Sequence, residues 1–159
     1  MTPEYRQYRI DQAHAYLERI RQQGDDCAGL KQQVDDARDR ASGLKGIDYS
    51  AIRVQTSPSG DAIPNAIDYI MESIRGYVTV LADYEAERMR ANESLMSMPD
   101  QHEAKALRMR YLLGWEWEKV QNAMGYKSLG GIMKLRDRAL CSYFDCMPAD
   151  ERDAMPVAF

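Results

Sequence analysis

The sequence predicts an all-α protein with a long helical hairpin at its N-terminal end and a compact helical domain after it. Two observations lead to this prediction. Apolar or small residues recur every third or fourth position through most of residues 3–98, which is the spacing of one helix face. Residues 100–144 then contain three shorter helical segments separated by glycines, which is typical of a compact helical domain.

The first long helix carries a coiled-coil-like seam of apolar or small residues. The seam consists of Ile10, Ala13, Leu17, Ile20, Gly24, Cys27, Leu30, Val34, Ala37, Ala41 and Leu44. One step near residue 27 is a residue short, which is a stammer in the heptad pattern. Gly24 and Gly29 lie beside it, and each glycine costs about 1 kcal/mol in a helix interior. We therefore expect a kink or break between residues 24 and 29.

Residues 45–62 lose the periodicity and form the predicted connector between the two long helices. Gly46, Pro58 and Gly60 are loop-forming residues, although residues 52–57 have the composition of a short extended piece. At about 18 residues the connector is longer than most, so a contact role for it stays open.

The second long helix begins near Asp61 and ends at Pro99. Its seam consists of Ile63, Ile67, Ile70, Ile74, Tyr77, Leu81, Tyr84, Arg88, Ala91, Leu95 and Met98. Two such helices either fold back as an antiparallel hairpin or pair with a second copy of the chain as a homodimer. Residues 1–98 thus form the predicted elongated region.

A compact domain is predicted at residues 99–146, starting with a helix over 100–113. Asp100 is a good N-cap residue, and Glu103 follows three positions later as in a capping box. Gly114 ends the helix, where a left-handed conformation is easiest for glycine.

Two further helices complete this domain. One covers about 116–124 and stops at Gly125, and the other begins with Ser128 as N-cap and continues to about residue 144. A helix, a tight glycine turn and a second helix make the helix-turn-helix layout, whose second helix enters the major groove of DNA.

The charge distribution supports a nucleic-acid partner for this domain. Residues 101–144 carry eight basic and four acidic side chains, a net charge of +4, although the whole chain has a net charge of −4. Residues 1–100 have a net charge of −5, and residues 145–159 have a net charge of −3. The acidic tail is predicted to cover residues 147–159 of this last segment. Positive charge confined to a helix-turn-helix segment is what a phosphate-binding face requires.

The last helix of the domain has an apolar and a basic face. The apolar stripe is Leu129, Ile132, Leu135, Ala139 and Leu140, and its predicted packing partners are Leu107, Tyr111, Trp117, Val120 and Met124. The opposite stripe is Lys127, Gly131, Lys134 and Arg138. This arrangement predicts that the basic stripe faces double-stranded DNA.

Seven residues are candidates for DNA binding. Lys134 and Arg138 are expected to reach guanine edges or phosphates. Ser128 and the free N–H groups of the first helical turn suit a phosphate. Lys119 and Arg136 are expected to contact the DNA backbone. The set is completed by Lys127 and Gly131.

Gly130 and Gly131 allow two interpretations. In one, they let the helix backbone approach DNA closely. In the other, the helix starts later and both glycines lie in the turn.

Several motifs together resemble a known family. These are LRMRYLLG (107–114), WEKV (117–120), GYKS (125–128) and LRDRAL (135–140), with VQTS (54–57) before the second long helix. They are similar to sigma-70 region 4, and more closely to phage and prophage proteins with a region-4-like helix-turn-helix, the RinA-like and ArpU-like late transcription regulators. The resemblance implies binding of promoter DNA and contact with RNA polymerase. One departure is Gln121, where region 4 usually has alanine.

Other function classes are less well supported. His14 and His102 are far apart in the sequence, and no metal-ligand spacing, phosphate-binding glycine loop or cofactor motif accompanies them, so we expect neither an enzyme nor a cofactor. No apolar run is long enough to span a membrane. Three cysteines without framework spacing suit a bacterial or host cytoplasm.

Two alternative functions remain open at this stage. One is a phage packaging or assembly protein similar to a terminase small subunit, which also combines a helix-turn-helix with oligomerising helices. The other is a protein-interaction module that has lost DNA binding.

Overall fold

A computed structural model describes residues 1–45 and 62–153 of the chain. All regular secondary structure within these residues is helical, which confirms the all-α prediction for them. The elements are α1 (Pro3–Lys45), α2 (Ala62–Met96), α3 (Gln101–Leu107) continued by a π-helix (Arg108–Leu112), α4 (Trp117–Met124), α5 (Leu129–Tyr143) and a 3-10 turn (Ala149–Glu151). No described helix combines the length and the hydropathy that crossing a bilayer requires.

Some predictions fall outside the described residues. They concern the connector between the long helices at positions 46–61, including the extended piece at 52–57 and the VQTS motif, and the last six residues of the acidic tail.

Contacts divide the chain into two units. The first unit contains residues 1–24 and those from 84 onwards, and the second contains residues 25–83. The helices α1 and α2 each contribute to both units.

The helix α1 continues without interruption through residues 24–29, so the predicted break is wrong. Gly24 lies against the ring of Tyr84, and a Cβ atom added at Gly24 would be 2.8 Å from Tyr84 Oη. Gly29, by contrast, has no heavy atom within 4 Å of such a Cβ. Packing of a helix face contributes more to helix stability than propensity does, so two glycines do not interrupt a helix of 43 residues.

The first unit has a continuous apolar core built from every long element. The seam residues Ile10, Ala13, Leu17 and Ile20 of α1 are buried there, as the sequence predicted. They pack with residues of α2, α3, the π-helix and α5. These partners include Ala91, Leu95, Leu107, Tyr111, Ala139, Leu140 and Tyr143.

Residues 147–153 also belong to this core and its rim. Met147 is buried, and the Tyr8 hydroxyl donates a hydrogen bond to the carbonyl of Asp153 over 2.8 Å. Arg19 of α1 pairs with Glu151 at 2.9 Å. Three acidic residues that follow α5 are thus paired with arginines of the long helices: Asp145 with Arg9, Asp150 with Arg90 and Glu151 with Arg19.

The second unit buries fewer of its apolar residues. Cys27, Val34 and Ala37 are buried on α1. On α2, Ile67 is 53% exposed, so this chain alone does not bury it as a hairpin seam would, and pairing of the seam with a second copy stays a prediction. Other large apolar residues of α2 that are exposed in this unit, among those whose burial the structure describes, are Tyr69, Met71, Val78 and Val80.

Candidate nucleic-acid interface

The support of the candidate interface begins with the capped helix α3. Asp100 Oδ1 accepts hydrogen bonds from the backbone N–H groups of His102, at 2.9 Å, and Glu103, at 3.3 Å, which confirms the predicted N-cap. Glu103 does not close the predicted capping box. Glu103 is buried, and its carboxylate instead accepts a hydrogen bond from Arg138 Nε on α5. The pair links the first helix of the domain to the last.

The helix α3 widens into a π-helix, which the sequence did not predict. The N–H of Leu113 donates to the carbonyl of Arg108, five residues earlier, over 3.0 Å. The N–H of Trp115 donates to the carbonyl of Met109, also at 3.0 Å. The chain then leaves the helix at Gly114, whose φ of 69° confirms the predicted left-handed end.

The turn between α4 and α5 is fixed by glycine and by one side chain. Gly125 has a φ of 75°, so α4 ends where the sequence predicted. The side-chain amide of Gln121 donates to the carbonyl of Tyr126 over 3.1 Å, which gives this departure from the region-4 pattern a structural role. Ser128 Oγ accepts from the N–H of Gly131 at 3.3 Å and caps α5 as predicted.

A small apolar cluster holds α5 against α4 and α3. Val120, Ile132, Leu135 and Ala106 form its buried centre, and Met124 and Trp117 pack around it. The predicted apolar stripe is therefore confirmed at Ile132, Leu135, Ala139 and Leu140, which are all buried.

Leu129 was wrongly predicted to belong to the buried stripe. It is 44% exposed. Leu129 is the first residue of α5, and helical side chains lean towards the turn that precedes them. No helical turn precedes Leu129 that its side chain could cover, so the apolar periodicity predicted burial for a residue that is exposed.

Gly130 and Gly131 are both helical, since α5 begins before them. The interpretation in which they lie in the turn is therefore wrong. A Cβ atom added at Gly131 would be 3.1 Å from Tyr126 Cδ1, so this glycine lies against a ring of its own chain. Apart from its chain neighbours and the backbone of α5 itself, no described heavy atom lies within 4 Å of the corresponding Cβ position at Gly130.

Two of the candidate cations, Lys127 before α5 and Lys134 on it, are exposed at the start of this helix. The side chains of Lys127 and Lys134 point to solvent, and neither makes an ion pair with any residue in the described part of the chain. Ser128 and Gly130 are exposed beside them. These residues form the exposed start of α5, which we call the α5 surface: Lys127, Ser128, Leu129, Gly130 and Lys134.

The two arginines of the candidate set are in ion pairs. Arg136 Nη2 lies 2.6 Å from Asp137 Oδ1. Arg138 is 61% exposed and pairs with the buried Glu103, whose hydrogen bond raises the pKa of the Arg138 guanidinium. Carboxylates of the same chain thus offset part of the positive charge that the sequence assigned to this helix.

Lys119, on α4, lies over an aromatic ring. Its Nζ atom is 4.1 Å from the ring centroid of Trp115, which is a cation–π distance. Trp115 is half-buried and packs against the small apolar cluster. The contact keeps the Lys119 ammonium group at the surface near the start of α4.

Leu129 and Gly130 are the residues of the α5 surface that sequence reasoning did not select. Their position in the sequence could have indicated them, because the first residues after an N-cap are exposed when the helix N-terminus faces solvent. Ser128, already identified as a cap, marked that place.

The two histidines lie apart from each other and beside tyrosines. Within the described ranges 1–45 and 62–153, no group of three His, Cys, Asp or Glu side chains has the geometry to hold a metal ion. His14 Nδ1 lies 2.9 Å from the Tyr111 hydroxyl, and the His102 ring centroid is 6.2 Å from that of Tyr126. Both histidines therefore contact tyrosines of the domain.

Comparisons of the chain with protein-family models, curated proteins and solved structures gave no match. The resemblance to sigma region 4 thus depends on the sequence motifs alone and stays a prediction.

Proposed function

We propose that α4, the Gly125 turn and α5 form a helix-turn-helix that binds double-stranded DNA. In this proposal α5 is the recognition helix, and the chain is a transcription regulator of the sigma region-4-like type found in phages. The long helices α1 and α2 support this domain and form the arms of a helical hairpin.

The main support for the proposal is that α5 has a buried apolar face and an exposed basic face. Ile132 and Leu135 are buried on one side, while Lys127 and Lys134 are exposed and unpaired within the described ranges. A helix that is anchored on one side and basic on the other suits the major groove, where the phosphates lie on both walls.

Each part of the α5 surface has a role in this proposal. Lys127 and the free N–H groups at the start of α5 bind a phosphate. Lys134, seven residues after Lys127, reaches a guanine edge or a phosphate. Leu129 contacts a thymine methyl group, which is the usual apolar contact of the major groove. Arg136 and Arg138 contribute to DNA backbone contacts through guanidinium nitrogens that their carboxylates leave free.

Two further partners belong to the proposal. RNA polymerase is the protein that the region-4 resemblance implies. A homodimer through the N-terminal helices would place two α5 surfaces on one duplex, as in other dimeric helix-turn-helix proteins.

The experiment that tests DNA binding is a salt titration with two lysine variants. Lys127→Ala combined with Lys134→Ala removes the two unpaired cations of the α5 surface. Each lost phosphate contact lowers the slope of log affinity against log salt by about 0.9, hence about 1.8 for both. Between about 50 and 200 mM salt the natural protein should then lose roughly tenfold more affinity than the double variant.

Fluorescence anisotropy with a labelled duplex measures both slopes, and Lys31→Ala combined with Arg40→Ala, which removes two exposed cations of α1, is the matched control. Lys31 and Arg40 lie in the second unit, so their removal should leave the slope near that of the natural protein. Equal slopes for the double variant and the natural protein would remove the proposed role of α5. If the control variant lowered the salt slope as much as the double variant does, DNA binding would depend on the overall charge of the chain and not on α5.

A packaging or assembly protein is the second candidate function. The exposed apolar residues of α2, such as Ile67 and Val78, favour it because oligomerising helices need such residues. Light scattering of the full chain separates the two functions. A ring of many subunits would support assembly, whereas a monomer or dimer would support the regulator.

A protein-interaction module without DNA binding is the third candidate. The pairing of Arg138 with Glu103 favours it, because this pair offsets charge on α5. Binding of purified RNA polymerase by a chain that has no measurable affinity for duplex DNA would select this function.

A further inference from the structure

An open groove lies in the first unit between α2 and the π-helix. Its volume is about 200 Å³. The residues that line it are Arg88, Met89, Asn92, Arg108, Leu112 and Leu113. The groove shares no residue with the α5 surface, so an argument about it does not depend on DNA binding.

The walls of the groove are apolar and exposed. Met89 is 62% exposed and Leu113 is 50% exposed, while Leu112 is buried between the two elements. A methionine adapts its shape to different apolar partners, since its side chain is unbranched and flexible. Two large, exposed apolar side chains thus line the same groove.

The π-helix explains why Leu113 and Arg108 lie in this groove. A π-turn inserts one residue relative to the α-helical repeat, and the bond from Leu113 N–H to the Arg108 carbonyl closes that turn. Such single π-turns occur frequently at functional sites, because they displace side chains that an α-helix would place elsewhere. The widened turn carries Arg108 at its start and ends beside Leu113.

Two guanidinium groups accompany the apolar walls. Arg108 Nε donates to Asn92 Oδ1 over 3.1 Å, and within the described residues its terminal nitrogens make no hydrogen bond. Arg88 Nη1 lies 3.3 Å from the half-exposed carboxylate of Glu85, while its buried Nε has no hydrogen-bond partner in the described structure. The terminal nitrogens of Arg108 and Nη2 of Arg88, which make no hydrogen bond within the described residues, are therefore the donors that a second acceptor can use.

We propose that this groove binds a segment of a partner protein that carries carboxylates beside an apolar side chain. Guanidinium groups bind carboxylates in a forked geometry, and Met89 and Leu113 would cover the apolar side chain. A volume of about 200 Å³ holds one or two side chains and is below the usual size of small-molecule sites. The sugar-phosphate backbone of a nucleic acid would satisfy the arginines but leave both apolar walls exposed to water.

The test selects random peptides on the full-length chain by display. The expected result is a set of binders rich in Asp or Glu next to Leu, Ile or Phe. One enriched peptide is then synthesised and titrated against the natural protein and against Arg88→Glu combined with Arg108→Glu. Reversal of both charges should weaken binding by at least about tenfold.

Arg6→Glu combined with Arg75→Glu is the matched control, because these arginines are exposed elsewhere on α1 and α2. The control should bind the peptide as the natural protein does. Met89→Ser is a second variant, and its exposed position means that it should fold normally while weakening the same peptide. If the variant with both arginines reversed does not fold, peptide binding by Met89→Ser still tests the proposal.

Three outcomes would overturn the proposal. The enriched peptides could lack acidic residues, or they could bind the charge-reversed and Met89→Ser variants as well as the natural chain. A short DNA duplex that displaces the peptide, and whose own binding is lost in the charge-reversed variant, would assign the groove to nucleic acid instead.

Discussion

Gly130 and Gly131 are neighbours in one helical turn, yet the structure predicts opposite effects for alanine at the two positions. Gly130 has open space where a Cβ atom would be, and Gly131 has Tyr126 Cδ1 at 3.1 Å from that position. The substitutions Gly130→Ala and Gly131→Ala change the same number of atoms in the same helix. Their difference therefore measures local packing alone.

The expected magnitudes follow from helix propensity and from crowding. Alanine in place of glycine stabilises a helix by 0.5–1 kcal/mol in its interior, so near the helix start we expect about 0.5 kcal/mol for Gly130→Ala. The same gain applies at Gly131, but pushing against Tyr126 costs about 1–3 kcal/mol. The net expectation for Gly131→Ala is a loss of about 1 kcal/mol, or roughly 2–4 °C in Tm for a chain of this size.

Thermal unfolding followed by circular dichroism measures both variants. Removing the ring with Tyr126→Ala should turn the effect of Gly131→Ala into a gain, because the crowding atom is then absent. A Gly130→Ala variant less stable than the natural protein would refute the helical, uncrowded environment of Gly130. Equal losses in the presence and absence of the Tyr126 ring would refute the crowding at Gly131.

The same pair of variants bears on DNA binding. If the α5 backbone approaches a duplex closely at Gly130, Gly130→Ala should weaken binding while stabilising the fold. The anisotropy titration that tests the lysines gives this affinity directly. Unchanged affinity would show that the open position at Gly130 is not used for close approach.

Two further predictions concern the long helix α1. Gly29→Ala should stabilise the chain by about 0.5–1 kcal/mol, whereas Gly24→Ala should destabilise it by about 1 kcal/mol because the new methyl group meets Tyr84. Urea titration measures the free energy of unfolding of both variants, and equal effects would contradict the close packing at Gly24. Glu18 accepts hydrogen bonds from Arg21, and these lower the pKa of Glu18 below its ordinary value of 4.5. The ionised Glu18 therefore stabilises the fold fully above pH 4.5, and this contribution is lost as the pH falls through the lower pKa of the folded state. Glu18→Gln should therefore show a smaller fall in Tm on acidification than the natural protein, and parallel curves would contradict a contribution from this pair.

The ends of the short helices followed from local chemistry. Asp100 and Ser128 cap helices through their own side chains, and Gly114 and Gly125 end helices in the left-handed conformation. These choices depend on one residue and its immediate neighbours, so the sequence was enough to predict them.

Contacts between distant residues were harder to predict. The pairing of Arg138 with Glu103 joins residues 35 positions apart, and nothing local to Arg138 indicates it. The close packing of Gly24 against Tyr84 is similar, because propensity described the glycine only as a weak point of α1. The π-helix at Arg108–Leu112 was missed because an inserted residue does not disturb an apolar pattern over so short a segment.

For the candidate interface, the sequence predicted the two faces of α5 but not the state of its charges. Periodicity separated Ile132 and Leu135 from Lys134 correctly, since burial follows the helical repeat. It did not show which cations carboxylates elsewhere in the chain would bind.

The first unit is assembled from two separated parts of the chain, residues 1–24 and those from 84 onwards. During translation, Ile10 and Leu17 therefore leave the ribosome long before their partners Leu140 and Met147 are made. Until then, the apolar side of the nascent helix has only part of its native cover and is open to chaperones or to premature association. The order of synthesis thus makes this unit a late-folding one, and a stalled or shortened chain that ends before residue 147 would lack part of its core.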